Sequence, residues 1–157
     1  MNSRAAGGVS ATIMKTRLLI PLALAFATAA FAKTGWEDDF EKGLEKAKSS
    51  GKPALVDFTG SDWCIWCKRL DAEIFSKAEF KDYVKDKFTL VEVDFPQIKP
   101  LPKKKAEAHD ALAKKYKIEG FPTVLVLDGS GKEIARLGYV EGGPKAFIAE
   151  LEKVAKK

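Results

Sequence analysis

Cys64 and Cys67 are the only two cysteines of the 157-residue chain, and they stand three apart in Trp63-Cys64-Ile65-Trp66-Cys67-Lys68. The turn-forming run Gly60-Ser61-Asp62 precedes them and a helical stretch follows, so the first thiol falls at a helix N-terminus. Unpaired amides and the positive end of the helix dipole favour thiolate over thiol there. A thiol made acidic in this way is both a ready nucleophile and a good leaving group. Cys67, one turn further in, lies close enough to attack a mixed disulfide formed on Cys64, so the spacing suits thiol–disulfide exchange. Lys68 and Arg69 add positive charge nearby, although cations in a first turn oppose the dipole preference.

Such a pair has other possible uses. A zinc site needs about four ligands, and beyond the two thiols only His109 and carboxylates remain, so no metal is expected. Haem attachment wants histidine after the second cysteine, where Lys68 stands. A purely structural bridge over so short a loop removes little chain entropy. A Cu(I) site built on two soft thiolates stays open as an alternative, making the chain a metallochaperone or assembly factor. Such proteins usually add His or Met ligands, and the two methionines, Met1 and Met14, both lie near the start of the chain.

The elements that must position the pair read as follows. Apolar residues from Trp36 to Ala47 recur at three- and four-residue steps, predicting an amphipathic helix over 36–50 that stops at Gly51-Lys52-Pro53. Ala54–Thr59 is a nearly continuous apolar run, as in a strand covered on both faces. Helical character continues from the cysteines to Phe75. Ser76 and Glu79 suggest a capping box for a helix from Lys77 to about Asp86. Residues 88–94 alternate as a strand, and 95–105, with three prolines and four lysines, reads as a solvated loop. Ala106–Tyr116 is helical. Thr123–Leu127 is a second buried strand, joined at Asp128-Gly129-Ser130-Gly131 to a returning strand over 132–138. A last helix runs from Lys145 to about Ala155. This order implies an α/β fold, a mixed sheet with helices on both faces.

Residues 1–32 contain Arg4, Lys15 and Arg17 and no acid. Met14-Lys15-Thr16-Arg17, an apolar run to Phe31 and the small-x-small end Ala30-Phe31-Ala32 read as an export signal. It would start at Met14, behind an upstream extension, and be cut near Ala32. A periplasmic or secreted location follows, with residues 33–157 as one domain; an uncleaved anchor is the second reading. The net charge of +5 derives partly from this segment. Nucleic acid is therefore not expected as a partner.

Two motifs, WCIWCK after the Asp57-bearing strand and GFPT opening a later one, resemble the thioredoxin superfamily. More narrowly, the chain is similar to exported bacterial thioredoxin-like proteins and to the C-terminal domain of the membrane thiol-reductant conductor, over about 34–155. The resemblance implies a thioredoxin-like fold with Cys64 attacking and Cys67 resolving. It also implies a cis peptide before Pro122, leaving the backbone at Phe121 free to pair with a substrate strand. Asp57 matches a buried acid that moves a proton to or from the second cysteine, and burial would raise its pKa. Two departures stand out: the path from Asp57 to Cys64 is one residue longer than in thioredoxin, and no lysine lies within 88–98 to pair with the acid. Trp63 is expected to shape the substrate surface beside the disulfide, together with Ile65, Trp66 and Phe121.

The apolar Ile65-Trp66 dipeptide offers no donor to the Cys64 thiolate, which favours a reductant or isomerase over a strong oxidant. Those extremes differ by roughly 150 mV, about 7 kcal/mol. Protein thiols and disulfides are the expected partners, recharged by a membrane electron donor, with a monomeric chain and no cofactor. Trp36, Phe40, Phe75, Phe80, Phe88 and Tyr116 are expected in the core. His109 is placed on a polar helix face with no role, and Lys99 and Lys103–Lys105 in solvent.

Overall fold

A computed structural model describes residues 33–155. The export signal, its start at Met14 and its cut near Ala32 lie outside the described residues. Helix α1 (Phe40–Ser50) leads into strand β1 (Ala54–Thr59), then α2 (Ile65–Leu70), a π-helical turn (Asp71–Phe75) and α3 (Ala78–Val84). Strand β2 (Thr89–Asp94), α4 (Lys103–Lys115), the β3–β4 hairpin (Thr123–Leu127, Glu133–Leu137) and α5 (Gly143–Ala155) complete the described order. The sheet order is β2-β1-β3-β4, with β1 parallel to β2 and antiparallel to β3.

Alternation along β1 sorts the two faces. Leu55 joins a core with Leu70, Ile74, Phe75, Phe80, Val124 and Phe147, contributed by α2, the π turn, α3, β3 and α5. Val56 and Phe58 join the opposite core with Phe40, Ala47, Val91, Tyr116 and Leu125. Every β1 side chain is buried, as its unbroken apolar run requires. A fully buried Leu or Phe contributes roughly 2–3 kcal/mol. The six aromatics expected in the core are all there. Asp57 shares the Leu55 face, so β1 carries one carboxylate towards the layer that holds the cysteines.

Several boundaries differ from the sequence reading. The first helix begins at Phe40, because Asp39 caps it, its carboxylate accepting from the Lys42 amide at 3.1 Å. The segment before it runs instead along the outer edge of β2. There the Glu37 amide donates to the Leu90 carbonyl (2.9 Å) and the Glu92 amide to the Glu37 carbonyl (2.8 Å). No capping box forms at Ser76. Its backbone is helical and its hydroxyl donates to Asp71, so α3 starts after Lys77 without a side-chain cap.

Lys103–Lys105 form the first turn of α4 and not a loop, because Pro102 sits at the cap, where its missing amide costs nothing. Lys105 pairs with Asp38 at 2.7 Å. His109 is buried, not on a polar face: its Nδ1 donates to the Asp94 carbonyl at 2.7 Å, and its ring packs on Phe95. Among the described residues no helix is long and apolar enough to cross a membrane.

Candidate active site

The cysteines lie just past the carboxyl end of β1, where α/β sheets place their working groups. Gly60 makes the corner: its carbonyl accepts from the amides of Trp63 (3.3 Å) and Cys64 (2.9 Å). A Cβ on Gly60 would fall 2.6 Å from the Trp63 ring, so only glycine fits there. Cys64 is the N-cap of α2, with extended backbone, and its Sγ accepts from the Cys67 amide at 3.2 Å. The Cys67 Sγ accepts from the Gly60 amide at 3.4 Å. The two are joined in a disulfide with Cα atoms 5.3 Å apart, and are 6% and 4% exposed.

Three ties hold the lengthened 60–63 loop to the end of β2. Asp94 accepts from the Ser61 amide (2.9 Å) and hydroxyl (2.6 Å), and the Trp63 Nε1 donates to the Phe95 carbonyl (2.7 Å). Asp62 accepts from the amides of Gln97, Ile98 and Lys99 at 2.8–3.0 Å. Against the opposing effect of desolvation, these three donors hold its carboxyl below the ordinary range. Asp62→Ala should therefore release the 97–99 segment. The expected result is several-fold faster amide hydrogen exchange at those three positions with no change in α5, read by NMR or mass spectrometry.

Behind the disulfide opens a polar cleft of about 340 Å³, lined among others by Lys33, Asp57, Cys67, Asp71 and Glu92. Asp57 is buried, and its Oδ1 has no hydrogen-bond partner among the described residues. Burial pushes its carboxyl up to about 7; Lys33 opposes this, while Glu92, Asp71 and Asp94 reinforce it. Glu92, its register partner across β1 and β2, is raised by burial as well. The acid and the inner sulfur thus share one opening, with a proton affinity suited to exchange near neutral pH.

The outer rim is aromatic. Phe121 packs edge-on to Trp63 with centroids 5.9 Å apart, and against Phe95 at 5.0 Å; the Phe121–Pro122 peptide is cis. Trp66 stands over Arg69, whose guanidinium lies 4.8 Å from its ring and 5.0 Å from that of Tyr139. Glu73 accepts from both Arg69 Nε (2.9 Å) and the Tyr139 hydroxyl. Trp63, Trp66 and Ile65, the last 65% exposed, present apolar surface beside the sulfurs.

Of the residues the sequence singled out (Cys64, Cys67, Asp57, Trp63, Ile65, Trp66, Phe121 and Pro122), the structure gathers Asp57 and Cys67 at the cleft and the aromatics at the rim. Sequence reasoning missed Lys33, Asp62, Asp71, Glu92 and Asp94. The acids of β2 carried one signal, since alternation puts Glu92 and Asp94 on a single face. Lys33 carried none. Among the described residues no three His, Cys, Asp or Glu side chains gather closely enough to hold a metal ion.

A CxxC disulfide capping a helix beyond the central strand, with a buried acid behind it and a cis-proline loop beside it, defines a thioredoxin-like class of site. The chain belongs to the thioredoxin-like domain family, which it matches over residues 40–155.

Among its relatives, the disulfide bond reductase DsbH of Chlamydia pneumoniae is 36% identical, over 81% of this chain and 76% of that protein. The thiol:disulfide interchange protein DsbD of Cronobacter sakazakii is 32% identical over 78% of this chain, which spans only 19% of that longer protein. In structure, a DsbH oxidoreductase superposes with a TM-score of 0.74 at 32% identity, covering 94% of this chain and 95% of the other. The oxidised C-terminal domain of Neisseria meningitidis DsbD gives 0.56 at 26% identity, covering 75% and 97%.

Proposed function

We propose that this chain is an exported thiol–disulfide oxidoreductase that reduces protein disulfides through Cys64 and Cys67. The observation that carries this reading is the Cys64–Cys67 disulfide at the start of α2, with the buried Asp57 in the cleft that Cys67 lines. In the forward direction the Cys64 thiolate attacks one sulfur of a substrate disulfide. A mixed disulfide forms and one substrate thiolate leaves. The Cys67 thiol passes its proton to the Asp57 carboxylate and attacks Cys64 Sγ. The mixed bond breaks, the second substrate sulfur leaves as a thiolate that takes its proton from Asp57 or water, and two electrons have moved from the dithiol to the substrate. The disulfide form described here is the end of that sequence, and a membrane electron donor returns it to the dithiol.

Substrate is held by the rim. The Phe121 backbone before Pro122 offers an edge for an extended strand, while Trp63, Ile65, Trp66 and Phe121 cover its side chains. The name of the DsbH relative supports reduction as the direction, as does the apolar Ile65-Trp66 pair, which supplies no donor to the Cys64 thiolate. The leader over residues 1–32 supports a periplasmic site of action, and we take the working unit to be a monomer.

The test is insulin reduction by the dithiol form, paired with a measured reduction potential. A potential near that of thioredoxin, roughly −270 mV, is expected. A value near the strongest oxidants, roughly −120 mV, would reverse the direction of transfer.

A further inference from the structure

We propose that Lys33 is a positioning residue for the exchange reaction: its ammonium supplies the counter-charge to Asp57 in the cleft behind Cys67, a place that no lysine of β2 fills. This rests on the thiol–disulfide reading above.

The geometry is specific. Lys33 ion-pairs with Asp71, and its Nζ lies 4.5 Å from the ring centroids of both Trp36 and Phe75. Two aromatic faces and a carboxylate confine a cation whose side chain is only 20% exposed. The segment that carries it is itself anchored, by the bridge from Glu37 to the edge of β2 and by the buried indole of Trp36. Lys33 thereby reaches the cleft from outside the βαβ unit that supplies the cysteines and Asp57.

The charges lining that cleft are Asp57 from β1, Lys68 from α2, Asp71 from the π turn, Glu92 and Asp94 from β2, and Lys33; β3 places the apolar Val124 opposite Asp57. Four carboxyl groups face two cations there, and Lys68 Nζ is turned to the Asp62 carbonyl at 2.8 Å. Among the described residues Lys33 is accordingly the cation that acts on Asp57 and Glu92, favouring the ionised form of each. Asp57 must be ionised to accept the Cys67 proton, so the cation in the cleft sets the pH above which resolution is fast.

The test follows the Asp57 carboxyl by NMR across pH in the oxidised full chain, for the parent, Lys33→Met, Lys33→Gln and Lys33→Arg. In both neutral variants the Asp57 midpoint should rise by about half a pH unit or more, whereas Lys33→Arg should keep it near the parent value. The pH profile of insulin reduction should move the same way, and in an Asp57→Asn background removing the Lys33 charge should leave that profile unmoved. An Asp57 midpoint that stays put in a folded neutral variant overturns the proposal, as does an equal rise in Lys33→Arg. The NMR reading needs no activity. A parent that shows the Asp57–Lys33 coupling without reducing insulin would sink the exchange reading, whereas normal reduction beside an unmoved midpoint would sink the role of Lys33 alone.

Discussion

Cys64→Ser should abolish disulfide reduction, and Cys67→Ser should arrest it one step later. The two cysteines are both nearly buried in the disulfide form, yet the backbone distinguishes them. Cys64 Sγ sits at the cap of α2 and takes the Cys67 amide; Cys67 lies within the helix, its sulfur turned back to the Gly60 amide. Cys64 lies in the chain between Trp63 and Ile65, both exposed, whereas Cys67 lines the polar cleft with Asp57. A serine hydroxyl at position 64 stays protonated at neutral pH and cannot attack, so turnover of insulin should fall to the uncatalysed background. With Cys67→Ser the first attack proceeds and the mixed disulfide has no internal resolving thiol. The expected product is a covalent adduct with substrate protein, retained on non-reducing gels and released by dithiothreitol. Equal trapping by both variants would show that the assignment of attacker and resolver is wrong.

Asp57→Asn should stabilise the oxidised protein at high pH. The sign follows from burial. The Asp57 carboxyl ordinarily titrates near 3.8 and is pushed up to about 7 in the fold. Between these values the unfolded chain has released a proton that the folded chain still holds, so stability falls as pH rises through that window and levels off above about 7. At about 1.4 kcal/mol per unit, the ceiling on the loss is about 4 kcal/mol. Glu92, raised by burial as well, contributes with the same sign and remains in the variant. Urea unfolding should therefore find the variant more stable than the parent at pH 8, by about 2–4 kcal/mol, and that difference should vanish near pH 3, below the ordinary carboxyl range. Reduction of insulin should slow at the same time, because the acceptor for the Cys67 proton has gone. A stability difference between variant and parent that does not change with pH would overturn the buried-acid reading. That result would mark Asp57 as a carboxylate that costs stability at neutral pH, as expected of a group kept for chemistry.

The proposed export of the chain, with recharging at a membrane, would set the compartment in which this chemistry runs. A cytosolic dithiol is kept reduced by the general thiol pool, whereas an exported one needs its own supply of electrons. The aromatic rim is consistent with that setting, since it offers an apolar contact surface without demanding a particular substrate sequence. Arg69, stacked between Trp66 and Tyr139 and tied to Glu73, holds one side of that surface in a fixed arrangement.

The order of elements and the site core were readable along the chain because each rests on local chemistry. A run such as Ala54–Thr59 must be buried on both faces wherever it is placed, and two thiols three apart must meet when a helix starts between them. Gly51 and the 128–131 turn end their elements through backbone preferences that neighbours do not alter. Helix starts were less readable: Asp39 caps α1 although the apolar spacing began the helix at Trp36, and Ser76 turns to Asp71 instead of capping α3. His109 looked solvated on its own helix, and is buried because the Asp94 carbonyl lies across from it.

By itself the sequence determined the cysteine pair at a helix start and the strand carrying Asp57, while the cis peptide before Pro122 was implied only by the family resemblance. Tertiary structure alone decided what surrounds them: Lys33 from the N-terminal edge, Asp71 from the π turn, and Glu92 and Asp94 from β2 meet at one cleft. The reason is that charge–charge effects depend on distance through space in a poorly solvated pocket, and no spacing along the chain encodes a distance between segments that only the sheet brings together.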